Sequence, residues 1–132
     1  MIYVDTSALF ALADPRDREH AVALAAAARS AQRGDTWVTG WHTLYEFTDG
    51  VCDRMGQKAA AERLHRLVGN PRLRVQSSEE RLSDARRLLE TRVDWGVDLS
   101  DCLSFAIMRN LGIRRAFTFD LDFEKAGFET VP

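Results

Sequence analysis

The sequence predicts an α/β domain built on a mainly parallel sheet covered by helices on both faces. Short apolar runs of strand length, "IYVD" (2–5), "TWVT" (36–39), "LRV" (73–75) and "RRAFTFD" (114–120), alternate with longer helical stretches. The helical stretches carry their own stop signals at Gly34, at Gly69-Asn70 before Pro71, and at Gly112. The chain has 132 residues, 45% of them apolar, and no Pro-, Gly- or Ser-rich linker divides it. That length supports one core, so residues 1–132 read as a single domain.

The elements follow in order. "IYVD" is a buried strand, and "TSALFALAD" opens a helix directly after it, broken by Asp14-Pro15. "RDREHAVALAAAARSAQRG" (16–34) is Ala-rich and predicts a helix ending at Gly34. "TWVT" is the second strand, with Thr39 placed to cap a helix from about Trp41 to Val51. "GQKAAAERLHRLVGN" (56–70) is a further helix and "LRV" the third strand. In "SSEERLSDARRLLE", Ser77 stands three residues before Glu80, a capping-box pattern, with Leu82, Ala85 and Leu89 as the apolar face. Ser100 is placed to cap "DCLSFAIMRNLG". "RRAFTFD" is the fourth strand, "LDFEKAG" a last helical turn and "FETV" a fifth strand.

Composition narrows the function. Eighteen basic against twenty acidic residues give a net charge of −2, so no global basic field announces a nucleic-acid partner. A polyanion has to be held by a local patch or by bound cations. Cys52 and Cys102 stand in no metal-ligand spacing and read as reduced, partly buried thiols of a cytoplasmic protein. Neither a signal peptide nor a membrane-spanning stretch is expected, since Asp5 interrupts the first apolar run.

Acids fall at telling places. Asp5 ends the first strand, Asp120 ends the fourth, and Asp122 follows two residues on. Asp101 sits in a helix first turn and Glu46 midway along another helix. In a parallel sheet, ligands bind beyond the carboxyl ends of the strands, where these acids would converge. No compensating lysine is expected there. Like charges about 4 Å apart cost roughly 4 kcal/mol per pair at an intermediate dielectric. Some acids must then be protonated, or a cation must be present. Carboxylates without Cys or His suit Mg²⁺ or Mn²⁺, and such a site fits phosphodiester chemistry. Each acid also has a structural reading. Asp5 can cap the next helix, Asp101 favours the helix dipole, and Asp120 and Asp122 can be turn residues. Glu46 lies on a polar stripe with His42, Asp49 and Asp53, the pattern of a solvated face.

Four stretches, "YVDTSALFAL", "WVTGWHTLYEF", "DLSDCLSFAIMRNLGI" and "AFTFDLDFEKAGF", resemble the PIN-domain ribonucleases, in particular the VapC-like toxins of toxin–antitoxin pairs. The resemblance spans essentially the whole chain and implies a three-layer α/β/α sandwich. It also implies that Asp5, Glu46, Asp101 and Asp120 are catalytic, metal-binding acids, with Thr6 and Thr118 orienting them. Asp122 is a further candidate ligand; it stands where histidine is frequent in the family, and Asp98 where a small hydroxyl residue is common. The implied activity is Mg²⁺- or Mn²⁺-dependent endonucleolytic cleavage of RNA, leaving a 5′-phosphate and a 3′-hydroxyl. The implied partners are a cognate antitoxin and a second copy of the chain, with no membrane involved. A PIN-like module that binds RNA or protein without catalysis is the alternative.

Other readings lack their residues. Ser7 removes the second acid of a dehalogenase-like D-x-D motif, no phosphoacceptor acid follows "LRV", and no Gly-rich turn follows the first strand. For RNA, Arg16, Arg18, Arg29 and Arg33 flank one helix and Lys58, Arg63 and Arg66 stud another, either a phosphate track or a solvated face. Trp37, Trp41 and Trp95 can stack bases if exposed, although Trp37 reads as core. The "ALFAL" helix is either a partner surface or sheet packing. His20, His42 and His65 read as surface residues.

Overall fold

The computed structural model describes residues 1–132. Five strands form one wholly parallel sheet in the order β3-β2-β1-β4-β5: β1 (Ile2–Val4), β2 (Trp37–Gly40), β3 (Leu73–Gln76), β4 (Arg115–Phe117) and β5 (Glu129–Val131). Seven α-helices connect them: α1 (Thr6–Ala13), α2 (His20–Arg33), α3 (Trp41–Met55), α4 (Gln57–Val68), α5 (Leu82–Thr91), α6 (Leu99–Leu111) and α7 (Asp122–Lys125). The α/β class and the helical cover on both faces are as expected.

The period of two along β1 builds both cores. Ile2 and Val4 point into one apolar cluster with Leu9 of α1, Leu44 and Phe47 of α3 and Phe117 of β4. Tyr3 points the other way, among Phe105, Ile107 and Met108 of α6 and Phe123 of α7. Phe105 meets the rings of Trp95 and Phe123 edge-on, with centroids 5.7 and 5.1 Å away, a geometry the ring quadrupoles favour. The "ALFAL" helix packs inward, with Ala8, Leu9 and Ala11 buried.

Several local expectations are overturned. Residues 16–19 are not helical, because the Asp14 carboxylate accepts from the Arg16 N–H (3.0 Å) and Asp17 from the Glu19 N–H (2.8 Å). These local turns offer the backbone an alternative to helix, so α2 starts at His20. Thr39 is not a cap: its hydroxyl donates to the Val4 carbonyl at 2.9 Å, tying β2 to β1, and Gly40 precedes α3. Ser77 does accept from the Glu80 N–H, but the turn it starts is a 3₁₀ segment, and α5 begins at Leu82. On α5 it is Ala85 and Leu88 that pack inward, while Leu82 and Leu89 are exposed, because the small Ala85 lets α5 lie close against Cys102, Leu103 and Ala106 of α6. Ser100 does not cap α6. Asp98 does, in a capping box with Asp101. Trp95 is buried beneath the Arg92 and Arg109 guanidinium groups and has no face for a base. His42 is buried rather than on the surface.

Gly40 marks a close approach of β2 to α3 and α6. A Cβ there would stand 2.5 Å from His42 Cε1 and 2.8 Å from Ile107 Cδ1. The His42 ring is held by two serines and has no room to retreat. Gly40→Ala is therefore expected to destabilise the protein by about 1–3 kcal/mol, the cost of overpacking a full core. A denaturation midpoint equal to wild type would show that the ring yields freely.

Candidate active site

Strands β1 to β3 run out to one edge of the sheet while β4 and β5 run to the other, so the order reverses between β1 and β4. Open parallel sheets hold ligands beyond the carboxyl ends of strands at such a point. Register pairs Val4 with Phe117, which sets Asp5 beside Thr118, and the Asp5 N–H donates to the Phe117 carbonyl at 3.0 Å.

A cleft of about 650 Å³ opens here. Eleven residues line it, and six are acids: Asp5, Glu46, Asp98, Asp101, Asp120 and Asp122. All four acids expected from the sequence meet in this cleft, together with Asp98 and Asp122. Asp5 is the most enclosed, at 9% exposure. Its Oδ2 accepts from Ser7 Oγ (2.9 Å) and Thr118 Oγ1 (3.0 Å), and less closely from the Ser7 N–H, so Asp5 also caps α1. Burial pushes its carboxyl above the ordinary carboxylate range, against the pull of those hydrogen bonds.

Glu46 reaches the cleft from α3, held by the Thr6 hydroxyl (3.1 Å to Oε2) and by Ser100 Oγ. It is not simply part of a solvated stripe. Asp101 sits in the first turn of α6, where Asp98 Oδ1 accepts its N–H at 2.9 Å and its own Oδ2 accepts the Asp98 N–H at 3.4 Å. Partial burial, and then the charges of Asp98, Asp120 and Asp5, push the Asp101 carboxyl up to about 7. Asp120 closes a turn by accepting the Asp122 N–H (2.9 Å), and its own N–H donates to Thr118 Oγ1 (3.0 Å). A compensating lysine does exist, contrary to expectation: Lys125 Nζ lies 2.8 Å from Asp122 Oδ1, one turn along α7.

Asp101, Asp120 and Asp122 each bring a carboxylate oxygen within 4.8 Å of the others, close enough for one hard cation to join them. Asp5 and Glu46 line the same cleft outside this tight group. The donors are carboxylate and hydroxyl oxygens, with no Cys or His among the lining residues. That chemistry fits Mg²⁺ or Mn²⁺ and not zinc.

Two participants escape a reading of the sequence alone. Ser7 Oγ touches Asp5 and Thr118 and accepts the Phe119 N–H at 3.0 Å, tying the ends of β1 and β4 together. Its one signal is its position two residues after a strand-end acid, the span of an Asp-centred turn. Ser100 reads locally as a cap, and nothing near it in the chain points its hydroxyl across to Glu46.

The PIN domain family model matches residues 2–129. The chain belongs to the PIN-domain family. This PIN domain is 33% identical over 135 residues to the 23S rRNA-specific endonuclease VapC20 of Mycobacterium tuberculosis, covering 99% of this chain and 98% of that protein. The crystal structure of Mycobacterium tuberculosis VapC20, described as a sarcin-ricin loop cleaving toxin, superposes with a TM-score of 0.85 at 30% identity, over the full length of both chains. FitAcB from Neisseria gonorrhoeae (TM-score 0.74, 17% identity, 100% of this chain and 97% of that one) shares the fold. So does VapBC2 from Rickettsia felis, solved with a promoter DNA fragment (0.71, 16%, full coverage of both). No helix of this PIN domain is long and apolar enough to cross a membrane.

Proposed function

We propose that this PIN domain is a metal-dependent endoribonuclease toxin of the VapC type, held in check by a cognate antitoxin. The observation that carries the reading is the convergence of six carboxylates from separate parts of the chain in one cleft, with Lys125 as their basic neighbour. Asp5, Glu46, Asp101 and Asp120, with Asp122, would hold Mg²⁺ or Mn²⁺. When bound, such a cation neutralises charge on the phosphodiester and makes water a stronger nucleophile. The side chains prepare the cleft for it. Ser7 and Thr118 fix the Asp5 carboxylate, Thr6 and Ser100 fix Glu46, and Asp101 holds a proton near neutral pH that it gives up when a cation arrives. In-line attack of water on phosphorus breaks the P–O3′ bond and leaves the 5′-phosphate and 3′-hydroxyl.

The full-length similarity to VapC20 makes 23S rRNA the first substrate to test. Arg16, Arg18 and Arg33 are tied to Asp14, Glu19 and Asp35, whereas Arg29, Lys58, Arg63 and Arg66 form no ion pair and are the better phosphate contacts. A groove of about 260 Å³ lined by Leu9, Leu12, Trp37, Phe47 and Leu67, and edged by Arg63 and Arg66, offers an apolar antitoxin segment a seat. A homodimer in the cytoplasm completes the proposal.

The test is cleavage of total RNA and of 23S rRNA by purified protein, with Mg²⁺ or Mn²⁺ against EDTA and with Asp5→Asn alongside. Cleavage that needs the metal and disappears in the variant is expected. Cleavage that persists in EDTA, or equally in Asp5→Asn, would sink the reading.

A further inference from the structure

Beneath the acidic cleft lies a buried polar cluster. Tyr3 is fully buried, Ser104 is 3% exposed and His42 9%. The Tyr3 hydroxyl donates to Ser104 Oγ at 2.9 Å and stands 2.9 Å from Thr43 Oγ1. His42 Nε2 lies 2.9 Å from the same Ser104 Oγ, and Nδ1 lies 2.6 Å from Ser78 Oγ. Ser78 Oγ accepts the His42 backbone N–H at 3.0 Å, which leaves its own proton for Nδ1. The imidazole is thereby assigned as neutral with Nε2–H donating to Ser104, and the Ser104 hydroxyl donates to the Ser100 carbonyl at 3.3 Å. Burial holds His42 down at about 4, in keeping with that tautomer.

An apolar core would do the packing without such demands on geometry. A fully satisfied buried network instead fixes its members in direction as well as distance. These members come from the three elements that carry the first three acids. Tyr3 precedes Asp5 by two residues on the same face of the β1 strand line. His42 and Thr43 lie one turn before Glu46 on α3, and Ser104 lies one turn after Asp101 and Ser100 on α6. Ser100 in turn reaches Glu46.

We propose that Tyr3, His42 and Ser104 are positioning residues, which set the spacing of Asp5, Glu46 and Asp101 by fastening β1, α3 and α6 at one point under the cleft. The inference rests on reading that cleft as a cation site. An error of about 1 Å in such placement is enough to cost activity.

Tyr3→Phe and Ser104→Ala each delete one hydroxyl and keep the packing. Each variant is expected to bind Mn²⁺ about tenfold more weakly and to lose about tenfold in kcat on RNA, with KM within about twofold of wild type. The double variant should lose less than the product of the two single losses, since the two hydroxyls share a hydrogen bond. Ser104→Thr, which keeps a hydroxyl, should recover most of the Mn²⁺ affinity, and it tests the role through Ser104 even if Tyr3→Phe does not fold. The control is Ser30→Ala. Its hydroxyl is as buried, and accepts from Trp37 Nε1 at 2.9 Å at the other end of the sheet. That change should lower the melting temperature and leave Mn²⁺ affinity alone. Wild-type Mn²⁺ affinity and kcat in Tyr3→Phe and Ser104→Ala, or an equal loss in Ser30→Ala, would overturn the positioning role. Wild type that binds Mn²⁺ and cuts no RNA would overturn the nuclease reading alone, with the Mn²⁺ comparison still deciding the positioning role. Wild type that binds no Mn²⁺ would overturn both.

Discussion

Asp101→Asn is expected to lose RNA cleavage by about 10²–10³-fold and yet to melt higher than wild type in EDTA at pH 8. The loss has the size seen when a group that stabilises transition-state charge is removed. The gain comes from relieving repulsion, because the half-buried Asp101 carboxyl feels the charges of Asp98, Asp120 and Asp5. Asparagine keeps an oxygen for the Asp98 N–H, so the capping box is not the cause of either change. A few degrees is the expected rise in melting temperature. Parallel RNA-cleavage assays and thermal melts provide the check. A variant that melts lower than wild type in EDTA would mean that the acids are held apart by hydrogen bonds well enough not to strain the fold.

Metal should stabilise the wild-type protein more at pH 8 than at pH 5.5. The Asp101 carboxyl lies at about 7 in the folded chain, against an ordinary value of 3.8. Between those values the folded state holds a proton that the unfolded state has released. Stability of the metal-free protein therefore falls as pH rises through that window, and Asp5, also raised by burial, contributes with the same sign. A divalent cation replaces the proton and reverses the loss. Binding should release protons near neutral pH, visible as a dependence of the calorimetric heat on the buffer's ionisation enthalpy. Mn²⁺ at 100 times its dissociation constant corresponds to about 2.7 kcal/mol of stabilisation. Equal stabilisation at both pH values, with no proton release, would show that Asp101 is already ionised in the metal-free cleft.

Much of the architecture behind these expectations is spelled out locally in the chain. The strand–helix alternation, the stops at Gly34 and Gly112 and the acids at strand ends are legible because each depends on a residue and its near neighbours. Gly34 and Gly112 indeed adopt the left-handed backbone that favours glycine at a helix end. Motif order makes the family resemblance legible over the whole length. Caps are less so: Asp98 and Ser100 are both good capping residues two positions apart, and the capping box that Asp98 forms with Asp101, with Ser100 drawn across to Glu46, decides between them.

The sequence by itself determined the fold class, the run of elements and which carboxylates stand where parallel strands end. Only the tertiary structure decided that Glu46 lines the cleft, held by Thr6 and Ser100, and that Ser7 ties two strand ends together. It alone decided that His42 lies buried among Tyr3, Ser78 and Ser104. The reason is one of range. Periodicity and capping act over about four residues of chain, whereas the partners of Tyr3, Glu46 and His42 lie tens of residues away and meet only when β1, α3 and α6 pack.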